Sequence, residues 1–158
     1  MIQLSSWTYR TAAPDSAMLS DTSRTAATAL AVAAGGAVGA ACRYQIWRWW
    51  PDDTMHFPLT TFAINVVGCF LLGLSIGAIP DGDQDLSAIV RAFLTYGTLS
   101  GFTSFGFFAV QGVTLTYPGM GLLYLALTPV VAVGLAWAGR ACWSTLSRRS
   151  RRAGRHAR

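Results

Sequence analysis

AIVRAFLTYGTLSGFTSFGFFAVQGVTL, residues 88–115, is apolar enough to enter a bilayer and poor material for an unbroken helix. Gly97, Thr98, Ser100, Gly101, Thr103, Ser104 and Gly106 crowd its centre. Backbone that unwinds at membrane depth survives only where protein or a water-filled cavity satisfies the freed N–H and C=O groups. Interruptions of that kind mark ion and substrate sites in membrane proteins. The stretch therefore predicts a membrane-inserted segment whose helix is broken, and it is the place to look for function.

The segments on either side are simpler. Residues 57–79, FPLTTFAINVVGCFLLGLSIGAI, would make a helix about 35 Å long, enough to cross the hydrocarbon core with some tilt. Pro58 suits its first turn, and Asn65 is its one strongly polar side chain. PDGDQD, residues 80–85, is a short acidic turn. Residues 26–47 form a span dense in Ala and Gly, with Gly35, Gly36 and Gly39 at spacings that let helix backbones approach closely. Arg43 lies near its end, and Trp47, Trp49 and Trp50 form an aromatic belt. A last span, 121–143, contains Thr128-Pro129, a mild kink signal. Residues 1–25 show no apolar run and lack the basic start and apolar core of a signal peptide, so they are predicted to be a disordered tail. Residues 144–158 form a basic tail. The expected fold class is an all-α integral membrane protein of one domain, residues 26–143, with four transmembrane helices and the third one broken.

Composition agrees with a bilayer as solvent. The 158-residue chain is 53% hydrophobic and only 12% charged, where a soluble domain carries about 25% charge. Its basic residues are all arginine and its acidic ones all aspartate. Seven arginines fall between Arg140 and Arg158 and account for the +5 net charge. Basic tails beside membrane helices usually set topology, so no nucleic-acid partner is expected. With four spans, Arg10, Arg24, Arg91 and the tail face one side, against Arg43 and Arg48 on the other. That bias predicts a multi-pass protein of the cell inner (plasma) membrane with both termini cytoplasmic. Cys42, Cys69 and Cys142 match no metal spacing and are expected as packing thiols. His56 and His156 lie outside the apolar segments. No nucleophile–base pair, metal-ligand cluster or phosphate loop points to an enzyme.

Three stretches carry a resemblance: GGAVGAACRY at 35–44, TTFAINVVGCFLLG at 60–73 and GTLSGFTSFGFF at 97–108. In this order and register with four spans, over about residues 26–143, the chain resembles the Fluc (CrcB) fluoride channel family. The resemblance implies an antiparallel dimer of four-helix subunits with two fluoride pathways along the interface. It also implies a central Na⁺ held by backbone carbonyls at the third-helix breaks, and passive export of fluoride. Asn65 matches the family's pore asparagine, and Phe105 and Phe108 its two pore phenylalanines. Tyr124 and Thr128 match a tyrosine and a hydroxyl residue lining the pathway, and Arg43 an arginine near the vestibule. Thr103 matches the threonine whose carbonyl faces the sodium, with Ser100 where a glycine usually sits. Other departures are Gly106 and Phe107 in place of a Ser-Thr pair between the rings, Gln111 in place of a glutamate, and Ala132 where a further hydroxyl is common.

The residues themselves allow the same chemistry. An asparagine amide can donate two hydrogen bonds to an anion without a fixed charge in the membrane, though it could equally be interhelical glue worth about 0.6–2 kcal/mol. The positive edge of a phenyl ring can meet a small anion that has shed water. Hard backbone oxygens suit a cation such as Na⁺. A small multidrug transporter would need a carboxylate inside the membrane for proton exchange, and no aspartate lies within a predicted span. A membrane subunit that conducts poorly and supports a partner is the remaining alternative. The arginine bias favours one insertion orientation, whereas an antiparallel homodimer needs both. A heterodimer with an inverted paralogous subunit is therefore expected beside the homodimer.

Overall fold

Alanine, leucine and arginine favour helix whether or not they sit in a membrane, and helices here run past the apolar stretches that predict them. The computed structural model describes residues 16–79 and 85–156, with side chains described over 22–79 and 88–148. No strand occurs among the described residues. The elements in order are α1 (Ser16–Trp49), α2 (Leu59–Ala78), α3 (Asp85–Arg91), a π-helical stretch (Ala92–Leu99), α4 (Ser100–Phe102), α5 (Phe105–Thr114) and α6 (Pro118–His156). Three of these helices are long and apolar enough to cross a membrane, over Thr22–Trp49, Leu59–Ala78 and Pro118–Arg148. The remaining apolar segment is built from the shorter pieces between Asp85 and Thr114.

Two boundaries differ from expectation. Helix α1 starts at Ser16 rather than near residue 26, so residues 16–25 are helical where a disordered tail was expected. Likewise α6 continues through the basic tail to His156. The physical reason is the same at both ends: hydropathy reports where a helix leaves lipid, not where it stops being helical. At 34 and 39 residues, α1 and α6 are about 51 and 58 Å long, well beyond a hydrocarbon core of about 30 Å. Residues 1–15, including Arg10, and most of the acidic 80–85 turn lie outside the described residues.

Helix α1 packs along the π-helical stretch and α4, while α2 packs along α6, which also receives α5. Glycine makes the first seam possible. A Cβ at Gly39 would collide with the Thr98 carbonyl oxygen, so the two backbones touch directly. In the π-helical stretch the wider turn is lined by hydroxyls that reach five residues back. Thr98 Oγ1 donates to Phe93 O at 3.0 Å and Ser100 Oγ to Thr95 O at 3.5 Å. Such local bonds satisfy carbonyls that a regular α ladder would otherwise serve. Pro129 lies inside α6 without ending it, and Thr128 Oγ1 donates to Tyr124 O at 2.7 Å in the same turn.

One end of the bundle is closed by the loop between α1 and α2. Asp52 Oδ1 accepts from Thr60 N at 2.9 Å, and its Oδ2 accepts from Thr61 N at 2.9 Å and Thr61 Oγ1 at 2.7 Å. A carboxylate there satisfies two otherwise orphaned N–H groups of the first turn of α2 and complements its dipole. Thr116 N, in the α5–α6 connection, donates to Thr54 O at 2.9 Å and ties the two loops together. Beneath them lies an aromatic cluster of Phe57, Phe62, Phe108 and Tyr124, with ring centroids 5.1–5.4 Å apart. Outward faces are apolar: Leu30, Leu122, Val130 and Trp137 are each about 70% exposed. Water would penalise such faces and lipid would not.

Candidate functional site

The helical path is interrupted at Thr103 and Ser104, between α4 and α5. Thr103 still donates its N–H back to Leu99 O at 3.1 Å. Its own dihedrals are extended, φ −76° and ψ 160°, and so are those of Ser104, φ −147° and ψ 107°. Consequently Ser104 N–H turns sideways and donates to Asn65 Oδ1 at 2.8 Å. Asn65 Nδ2 lies 3.5 Å from Ser104 O, a long bond at best. A backbone N–H can only donate, so this contact fixes which end of the amide faces the break. Ser104 also starts the next helix, its Oγ accepting from Phe107 N at 3.2 Å. The buried Asn65, 8% exposed, is thus the side chain from a neighbouring helix that holds the interruption open.

A groove of about 380 Å³ runs past this point. Asn65, Thr103, Ser104, Phe105, Phe108 and Thr128 line it, together with apolar residues of α2 and α6 that include Ala132. The structure therefore brings Asn65, both phenylalanines and Thr128 to one surface. Phe105 and Phe108 have ring centroids 5.8 Å apart, but Phe105 is 81% exposed and Phe108 only 7%. Tyr124 does not reach the groove surface. It is fully buried, and its hydroxyl donates to Gln111 Oε1 at 3.4 Å. The Gln111 amide in turn donates from Nε2 to Asp52 Oδ2 at 3.2 Å. Neither Asp52 nor this chain of bonds follows from the sequence, because Asp52 lies in a loop and meets Gln111 across 59 positions.

On the opposite face of the break, Arg43 Nη1 donates to Thr103 O at 3.2 Å. Arg43, Tyr44, Trp47, Ser104 and Phe107 line a second cavity of about 280 Å³ there. Trp47 packs edge-on against Phe107, with centroids 5.8 Å apart.

The sequence model of the family described as "CrcB-like protein, Camphor Resistance (CrcB)" matches residues 30–140. This chain belongs to the CrcB-like family. A protein of Streptomyces coelicolor named "Fluoride-specific ion channel FluC 1" is 42% identical over 118 residues, covering 72% of this chain and 76% of the relative. "Fluoride-specific ion channel FluC 2" of Nocardia farcinica is 36% identical, covering 73% and 86%. "Fluoride-specific ion channel FluC" of Acidobacterium capsulatum is 37% identical, covering 68% and 89%. Family membership and the three apolar helices make the chain a multi-pass membrane protein.

For a CrcB-like chain, the Ser100 and Thr103 carbonyls can be tested as ligands for a hard cation. Ser100 has φ −68° and ψ −37°, ordinary right-handed helix, so a serine in the usual glycine position is unstrained. Its carbonyl accepts from Thr103 Oγ1 at 3.2 Å rather than from Ser104 N–H. Each carbonyl has two lone pairs and one donor, leaving one pair on each oxygen. Hard carbonyl oxygens of this kind are the donor type Na⁺ takes, while the Arg43 guanidinium already places a positive charge on the Thr103 oxygen.

Proposed function

We propose that this chain is a subunit of a passive, fluoride-selective channel that lets fluoride leave the cell and lowers its cytoplasmic concentration. The observation that carries the reading is the orientation of Asn65. With Oδ1 committed to Ser104 N–H, its amino group, held only by the 3.5 Å contact with Ser104 O, is the end left for an anion. A neutral donor attracts fluoride without fixing a charge inside the membrane. Phe105 and Phe108 flank the same groove, where ring edges receive a partly dehydrated anion. Thr128 adds a hydroxyl once it leaves the Tyr124 carbonyl, and Tyr124 a second one once it leaves Gln111. The names of the relatives support fluoride as the ion.

In this reading the interrupted segment crosses the membrane as a fourth, broken span, and the bond from Asn65 satisfies part of the freed backbone. Both termini face the cytoplasm of the plasma membrane, as the arginine distribution favours. Two subunits pair antiparallel, with a fluoride route along each side of the interface. The Ser100 and Thr103 carbonyls would hold Na⁺ there, supplying a fixed positive charge that ties the breaks of the two subunits together. Arg43 stands at a vestibule and gathers anions. The one-sided arginine distribution favours an inverted paralogue as the partner over a second copy.

A second reading, a partner subunit that conducts little through its own route, is favoured by Gly106 and Phe107. Neither offers a hydroxyl between the two phenylalanines. Fluoride efflux from proteoliposomes containing this chain, with and without an inverted paralogue, tests both. The expected result is fluoride efflux without chloride efflux, strong for the pair and weak for the chain alone. Strong efflux from the chain alone would overturn the heterodimer, and no efflux from either would overturn the channel.

A further inference from the structure

We infer that Asp52 is a positioning residue for the anion route, acting through Gln111 on the Tyr124 hydroxyl. This rests on the channel reading above and assigns a role to a loop residue outside the groove.

Asp52 is half-buried at the end of the bundle where the α1–α2 loop, α5 and α6 meet. Its carboxylate accepts from Thr60 N, Thr61 N, Thr61 Oγ1 and Gln111 Nε2. The first three secure the start of α2. The bond from Gln111 adds nothing to that cap, since Gln111 lies on α5. What it does is set the polarity of the Gln111 amide. A carboxylate accepts and cannot donate, so the amino end must face Asp52 and the carbonyl end must face away. The carbonyl end meets the Tyr124 hydroxyl at 3.4 Å.

That distance matters. O–H···O bonds centre near 2.7–2.8 Å, and one at 3.4 Å is weak. Tyr124 is thus given an acceptor good enough to orient its O–H in a buried site, and poor enough to lose it to a stronger one. An anion is a stronger acceptor than a neutral amide oxygen. Phe108 connects this hydroxyl to the groove, because its ring packs 5.1 Å from the Tyr124 ring and also lines the groove. Asp52, Gln111 and Tyr124 form a relay whose polarity begins at the carboxylate.

The polarity can be reversed to test the relay. Gln111→Glu sets two carboxylates where an amide and a carboxylate now bond. Asp52→Asn removes the acceptor that orients Gln111. Combined, D52N and Q111E let the introduced amide donate to one oxygen of the introduced carboxylate, while the other oxygen accepts from Tyr124. The measurement is fluoride efflux from proteoliposomes holding the conducting complex, with thermal unfolding of the same samples. Each single change is expected to cut efflux roughly tenfold, and the double variant to return within about threefold of the starting rate. In a Tyr124→Phe background the coupling between the two positions is expected to vanish. Additive losses, or coupling that persists without the hydroxyl, would make Asp52 a helix cap only and overturn the inference. Gln111→Met keeps the cap and removes the relay, so if Asp52→Asn does not fold, undiminished efflux from that variant also overturns it. A wild-type complex that carries no fluoride sinks the channel reading and this inference together, whereas a conducting complex with additive variants sinks this inference alone.

Discussion

The two sides of the interrupted segment are held by opposite means. Toward α1, the π-helical stretch and α4 lie backbone against backbone, with glycine clearing the way at Gly39. Toward α2 and α6, a groove opens at the break, which is joined there by the amide of Asn65, with the Thr95–Ser75 and Tyr124–Gln111 hydrogen bonds above and below it. At Gly39 the first side leaves no room for a side chain, whereas the second opens a groove of about 380 Å³. A seam without space fails by losing the fold, and a groove fails by losing its chemistry.

The largest expected effect breaks the seam. Gly39→Leu drives a side chain into the Thr98 carbonyl, which is backbone and cannot rotate aside. Overpacking of this kind costs about 1–3 kcal/mol or more. The variant should lose its monodisperse peak in size-exclusion chromatography in detergent, and its flux with it. The groove is sharpened by Asn65→Asp, which keeps an acceptor for Ser104 N–H but removes the amide donors. Fluoride efflux should fall at least about tenfold, about 1.4 kcal/mol, while the protein remains folded. Asn65→Ala should cost stability as well, about 1–3 kcal/mol for the unpaired N–H, read as a lower unfolding temperature. Equal losses of stability in both variants would erase the distinction between the two sides.

The smallest effect lies outside both regions and serves as a control. Hydrogen bonds from the His56 ring, and from the backbone N–H groups of His56 and Met55, hold the exposed Asp53 carboxyl below its usual range. Because the folded value is depressed, this contribution is present above the ordinary carboxylate range and lost as pH falls through the lowered pKa. A carboxyl-carbon NMR titration should show the depression, and His56→Ala should reverse the part owed to the ring, leaving that of the two backbone N–H bonds, without altering efflux.

Much of this was legible in the sequence for a simple reason: apolar runs and glycine clusters report the solvent and the packing distance directly. Residues 97–106 announced an interruption, and the structure confines it to Thr103 and Ser104. The residues before them stay helical by widening the turn, with Thr98 and Ser100 hydroxyls feeding carbonyls five residues back. Helix ends were less legible at Ser16 and His156, since composition changes there while helix propensity does not. Asn65, Phe108 and Thr128 could be singled out along the chain, yet the burial of Tyr124 and the exposure of Phe105 depend on neighbours that periodicity does not name. Asp52 was invisible as a partner of Gln111 because a loop carboxylate looks like solvent-exposed punctuation until the fold closes over it.

The sideways bond from Ser104 to Asn65 has a consequence for what the groove can admit. By giving one lone pair of its oxygen to the backbone, Asn65 fixes its amide against Ser104, with the amino group 3.5 Å from Ser104 O. In the channel reading proposed above, an anion would meet the amide N–H groups, one of them only loosely held by Ser104 O at 3.5 Å, while one of the oxygen's two lone pairs is already spent on the backbone. In that reading, sorting by sign would need no charged residue at that point: a break in one helix, by claiming an acceptor from its neighbour, biases the neighbour toward donating.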